Sequence, residues 1–206
     1  MESRRFKEKS LMSTTTTGRI AFKEWAAVCQ ALQAGRQIAI FRKGGIHEGR
    51  EGFRVEHDAF WMFPTYEHQS PEGLSDEAAD LLEMSQAAKP AAGGWAISLW
   101  AEVQSVVELR DESVLPRLSG QHMYASRTLD ERFHYRTPGL FVLPVRVYQL
   151  PEPIVIPDSP HFAGCRSWVD LPDSIATDGA EPVLSDDEFA EQLHALYAAL
   201  APSATA

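Results

Sequence analysis

The chain has 206 residues and a formal net charge of −10, with 44% hydrophobic and 23% charged side chains. That length and composition suit one globular domain, and no run approaches the ~18 consecutive apolar residues of a membrane span. Residues 1–18 hold four basic and two acidic side chains, so the acidic excess belongs to the rest of the chain. A body that acidic argues against binding a whole duplex by surface charge alone, although a local basic pocket is compatible with it.

The basic residues Arg4, Arg5 and Lys7 have no apolar stretch behind them, which argues against a secretory signal. Cys29 and Cys165 stand far apart in no metal-binding spacing, and two isolated thiols predict a reducing, cytoplasmic setting. Residues 1–18 lack apolar periodicity and are expected to be a disordered tail. Phe22, Trp25, Cys29 and Leu32 then recur at spacings of three and four, which predicts an amphipathic helix ended by Gly35. Cys29 on that stripe is expected to be core.

Gln37–Phe41 is a short apolar run and a predicted strand, turned by Gly44 and Gly45. From Phe53 to Phe63 a period of two predicts a strand, buried on both faces by its end and stopped by Pro64. Ser75, Asp76 and Glu77 open a predicted helix, with acids at the positive end of its dipole. The alternation from Trp95 to Leu109 predicts a strand too long to run straight, so a bend or bulge is expected. Residues 111–135 read as weakly helical. Leu140–Leu150 predicts a strand, and Pro144 inside it suggests an edge or bulge. Residues 151–153 read as an extended crossing before Ile154–Ile156, and residues 164–169 as a last short strand. Ser185 and Glu188 form a predicted capping box, opening a helix with Phe189, Leu193, Leu196 and Leu200 on one face.

The order predicts a single α+β domain over residues 19–200, with an acidic linker and helix at 173–200 and a loose tail at 201–206. Its sheet is expected to be mainly antiparallel and able to curl into a small barrel, PUA-like by analogy, with helices at either chain end.

Several segments then carry a family resemblance: Glu24-Trp25-Ala26, Arg42-Lys43-Gly44-Gly45-Ile46, Phe63-Pro64-Thr65-Tyr66-Glu67-His68-Gln69 and Gly164-Cys165-Arg166-Ser167-Trp168-Val169. With Arg136-Thr137-Pro138-Gly139-Leu140 and Arg146-Val147-Tyr148, they resemble a bacterial family, domain of unknown function 1802, over about residues 20–172. The resemblance implies association with restriction-type endonuclease domains, and so a role around foreign or modified DNA. It carries over no catalytic residue.

The titratable clusters each have two readings. Lys43-Gly44-Gly45 either presents an ammonium and backbone amides to an anion or forms a tight turn that needs glycine. It lacks the Walker spacing, so it is not a P-loop. His57, Glu67 and His68, with Glu48 near, hold the only metal-ligand chemistry, and they are kept as an alternative to a site without metal. No cofactor is expected. Cys165 beside Arg166 is a candidate thiol nucleophile, with His68 or His161 as base, or else a small buried hydrophobe. No Glu-x-Lys follows residue 18, which argues against a restriction-type nuclease site.

Tyr66, Trp61 and Trp168 with Arg42, Arg136 and Arg166 suggest a pocket of rings and guanidinium planes able to stack a base and read its edge. The leading expectation is a non-enzymatic recognition domain for a nucleotide, modified base or nucleic-acid end. Lys43 and Arg166 would hold an anion, Tyr66 would stack, and Thr65, Glu67, His68 and Gln69 would form the reading rim. A small hydrolase using His68, Glu67 and Cys165 is the alternative, and a protein-interaction partner the third reading.

Overall fold

The computed structural model describes residues 16–43, 56–164 and 166–201. Their elements run β1 (Thr17–Trp25), α1 (Ala26–Gln33), β2 (Ala39–Arg42), β3 (Ala59–Thr65), α2 (Ala79–Ala87), β4 (Trp95–Val103), β5 (Val107–Leu109), α3 (Ser126–His134), β6 (Leu140–Ile156), β7 (Trp168–Ala176), β8 (Glu181–Pro182) and α4 (Asp186–Leu200). The sheet order is β2-β6-β4-β3-β1-β7, with β5 and β8 also paired to β6. One α+β domain results. Its sheet is mixed rather than purely antiparallel, because β1 and β3 run parallel. The sheet is open among the described residues, with β2 and β7 at its two ends, so the barrel expectation is corrected.

β1 replaces the first turns of the expected helix. Phe22 lies in a strand flanked by partners on both sides, Met62 of β3 and Trp168 of β7. Its ring packs 5.4 Å from Phe60 and 4.8 Å from Trp168. Helix propensity is a weak prior, and two ladders override it. The helix starts only at Ala26, where Trp25 at the N-cap has no oxygen to offer the exposed N–H groups. Gln69 supplies one instead: its Oε1 accepts from Ala27 N at 3.1 Å. At the other end Gly35 takes φ +65, and Arg36 N bonds back to Ala31 O at 2.9 Å, as in a helix-terminating left-handed turn.

β3 buries both faces as its run of bulky residues predicts. Phe60 and Met62 join the cluster that contains Cys29 and Leu32 of α1, while Trp61 and Phe63 join the cluster around Trp100, Phe162 and Leu171. Pro64 does not stop the strand. β4 pairs only with Ala59–Trp61, so at Pro64 one strand edge needs no donor. The long alternating run breaks between β4 and β5, as its length predicts. β6 runs on through Pro151 and Pro153, and its register with β4 shifts between Ile97 and Leu99, which are opposite Ile154 and Gln149. A bulge tolerates residues that cannot donate to the ladder.

α4 opens with the predicted capping box: Ser185 Oγ accepts from Glu188 N, and the Glu188 carboxylate accepts from Ser185 N at 2.8 Å. The helix is pinned to β6 by Arg146, which is 8% exposed. Its guanidinium donates to Ser185 O at 3.1 Å and Asp186 Oδ1 at 2.8 Å, and lies 4.8 Å above the Phe189 ring. Hydrogen bonds made by a charged donor contribute about 1.5–3 kcal/mol. Arg146→Met is therefore expected to destabilise the domain by about that amount. Amide exchange along α4 should rise more than exchange in β4, and equal acceleration in both would refute the pinning role.

Candidate functional site

Because β1 and β3 are parallel, their C-terminal ends emerge at one rim, with Glu24 opposite Pro64 and Trp25 opposite Thr65. The segment before β7 and the end of β2 reach the same rim. Together they enclose a cavity of about 130 Å³, whose wall carries Lys23, Arg42 and Arg166 beside Glu24, Glu67 and His68. An adjoining cavity of about 290 Å³ shares Lys23, Thr65 and Glu67 and extends towards Trp95 and Asp158.

The cations are held differently. Lys23 is buried, and its ammonium donates to Phe162 O and, at 3.0 Å, to Gly164 O, fixing the segment that precedes β7. Arg42 donates from Nε and Nη2 to Ser167 Oγ at 3.2 and 2.8 Å and lies 5.2 Å above Phe22. Arg166 is exposed and donates from Nη2 to His161 O at 2.8 Å. His68 sits on the rim with φ +62, a left-handed conformation that costs a non-glycine residue about 1–2 kcal/mol and so marks a constrained turn.

Behind the wall lies a buried charged group. Glu24 is 2% exposed; its Oε1 accepts from Trp25 N at 2.8 Å, and its Oε2 has no hydrogen-bond partner among the described residues. The Arg132 guanidinium lies 4.9 Å over Trp25 and 4.2 Å over Tyr124, and donates to Phe41 O at 3.2 Å. Burial and the negative charge of Glu24 push the Tyr124 phenol far up, so it keeps its proton. In the sequence nothing groups Glu24 with Arg132 and Tyr124, which lie about a hundred residues away.

Of the residues expected at the site, Thr65, Glu67, His68 and Arg166 meet at this rim, together with Arg42. Others stand elsewhere. Lys43 donates to Phe133 O at 3.1 Å, Gly139 O at 2.9 Å and Thr137 O, so three carbonyls engage an ammonium that has three donors. Tyr66 lines instead the cavity on the α1–α2 side of β3, with its ring stacked 5.9 Å from Trp95 and Lys89 4.9 Å away. Gln69 caps α1 and reaches Ser85 Oγ at 3.4 Å. Arg136 is exposed and lies over Tyr135. Trp168 packs edge-on against Phe60 and His57, and Trp61 is in the core. Gly44, Gly45, Glu48 and Cys165 lie outside the described residues.

Among the described residues the grouping with metal-ligand geometry is Glu112, Asp130 and His134, all exposed, rather than His57, Glu67 and His68. Cys29 is buried, and desolvation, then the charge of Glu24, holds its thiol well above the ordinary range. No helix among the described residues is long and apolar enough to cross a membrane.

The fold and rim define an α+β domain with a cation-rich cavity where two parallel strands end. The chain belongs to the family described as Domain of unknown function (DUF1802), whose model matches residues 21–195. No curated protein matches it. Among solved structures it is similar to ASCH from Zymomonas mobilis, at 13% identity and a TM-score of 0.43, covering 86% of this chain and 94% of that one. A mutant form of the same Zymomonas mobilis protein gives 13% identity and a TM-score of 0.44, covering 88% of this chain and 99% of that one.

Proposed function

We propose that this chain is a non-enzymatic recognition domain that takes a nucleotide, or the terminal nucleotide of a nucleic acid, at the β1–β3 rim. The observation that carries the reading is local charge. In a chain of net charge −10, Arg42, Arg166 and Lys23 converge on the wall of one cavity. Guanidinium groups match a phosphate by paired donors, and Arg166, exposed and bonded to the His161 main-chain carbonyl, is placed to turn towards one. Thr65, Glu67 and His68 then offer the hydroxyl, carboxylate and imidazole that read the polar edge of a base. The neighbouring cavity, bounded by Trp95, leaves room for the rest of the ligand. A DNA-related setting and an endonuclease-type partner rest on the family resemblance alone.

The test is thermal unfolding and calorimetric titration with the four ribonucleoside and four deoxyribonucleoside 5′-monophosphates. A ligand at a hundred times its Kd stabilises by about 2.7 kcal/mol, which moves a domain of this size by several degrees. At least one monophosphate is expected to do so, with affinity that falls as NaCl rises, and Arg166→Ala is expected to weaken it about tenfold. Failure of every monophosphate to bind, or full affinity in Arg166→Ala, would overturn the reading.

A further inference from the structure

The opposite face of β3 carries a second cavity, of about 270 Å³, between the sheet and the α1–α2 pair. It is close in size to the ~300 Å³ at which small-molecule sites begin. Its chemistry is unlike that of the rim. Among the described residues no Asp, Glu, Lys or Arg side chain lines it. Its two ionisable groups, Cys29 and Tyr66, are both raised by burial and stay neutral. The polar lining is instead made of amides and hydroxyls. Gln30 and Gln33 come from α1, Gln149 from β6 and Ser98 from β4, all half-buried. Among the described residues no hydrogen bond engages the three glutamine amides. Met62, Leu99 and Leu150 provide the apolar floor.

Three uncommitted primary amides around an apolar floor specify a ligand. Each amide offers two donors and two acceptors, so together they suit an edge that alternates N–H and C=O. The apolar floor suits a flat body between those edges. A charged group inside would meet no counter-charge among the lining side chains, Lys89 standing over the Tyr66 ring outside that lining, and would lose its hydration, which disfavours a phosphate. We infer that this cavity is a second binding site, selective for an uncharged, nucleoside-sized heterocycle bearing a lactam or amidine edge.

The site is separate from the cationic rim, and its test keeps the two apart. The full chain is titrated calorimetrically with guanosine and with uridine, at low and at high NaCl, and then with the 5′-monophosphates of both. At least one nucleoside is expected to bind with a Kd that does not change with salt. Gln33→Leu or Gln149→Leu is expected to weaken it about tenfold, since each removes an amide from the ligand's edge. Ala88 is exposed at the mouth of the cavity, so Ala88→Trp should block binding while leaving the unfolding temperature near that of the parent. Arg166→Ala is expected to change nothing. Absence of binding by both nucleosides would overturn the inference. So would nucleoside binding that survives Ala88→Trp and is lost in Arg166→Ala, because that would place the ligand at the rim.

Discussion

Trp61→Ala is expected to destabilise the domain by about 3–5 kcal/mol, a large share of the roughly 5–15 kcal/mol available to a protein of this kind. Trp61 is 0% exposed and sits mid-sheet, paired with Ala21 of β1 on one side and Trp100 of β4 on the other. Its ring meets Trp100 edge-on at 5.2 Å and 62°, an arrangement that adds to simple area burial. Its indole N–H also donates to Gly18 O at 3.1 Å, so truncation would leave that carbonyl without this donor as well as opening a void. The packing around it is tight enough to dictate a glycine: a Cβ on Gly18 would fall 2.4 Å from Trp100 Cζ3. Urea unfolding of Trp61→Ala and Trp61→Phe measures the effect, and the phenylalanine variant should recover most of the loss by refilling the void. A loss below about 1 kcal/mol in the alanine variant would show that the aromatic pair is not the centre of this face.

The same alternation explains what could be read from the sequence. Runs whose burial is decided within the strand were legible: the two-sided burial of β3, the break after β4 and the cap of α4 all follow from nearest neighbours. β1 was not legible. Phe22, Trp25, Cys29 and Leu32 keep helical spacing across a strand–helix junction, and only the two ladders, set by residues far away in sequence, decide between the periods. Pro64 and, in β6, Pro151 and Pro153 misled for a related reason. A missing N–H matters only where a neighbouring strand needs it, and sequence does not say where a ladder ends.

The candidate site was half legible on similar grounds. Thr65, Glu67, His68 and Arg166, which follow or precede a strand in the sequence, line one cavity wall in the structure. Tyr66, the residue after Thr65, lines the cavity on the other side of β3, and Gln69, beyond the left-handed turn at His68, is taken up by the N-terminus of α1. Glu24 meets Tyr124 and Arg132, 100 and 108 residues further on, only in the folded chain, and no local pattern announces such a group.

Acid should weaken this fold earlier than its carboxylates require. His122 is 7% exposed, edge-on to Phe41 at 5.2 Å, and its Nδ1 has no partner among the described residues. Burial, reinforced by the charge of Arg132 and partly offset by the Tyr124 backbone, holds its pKa at about 4 rather than the ordinary 6.5. The folded protein therefore keeps this imidazole neutral where the unfolded chain would protonate it. The stability this neutrality represents is complete above pH 6.5 and is lost as pH falls from 6.5 towards 4. At 1.36 kcal/mol per pH unit the loss approaches about 3 kcal/mol. Asp80, lowered first by its bond to Arg36, and Glu188, lowered by Ser185, have the same sign of linkage, because each stabilises the fold when ionised. Their contributions disappear as pH falls through the carboxylate range, mostly below the histidine window. Unfolding measured from pH 7.5 down to 4.5 should thus show uptake of about one additional proton on unfolding. His122→Phe, which keeps a ring against Phe41, should remove that slope while changing stability at pH 7.5 by less than the acid loss. If His122→Phe retains the full slope between pH 6.5 and 4.5, the proton is being taken up elsewhere and the buried imidazole is not the acid-sensitive group.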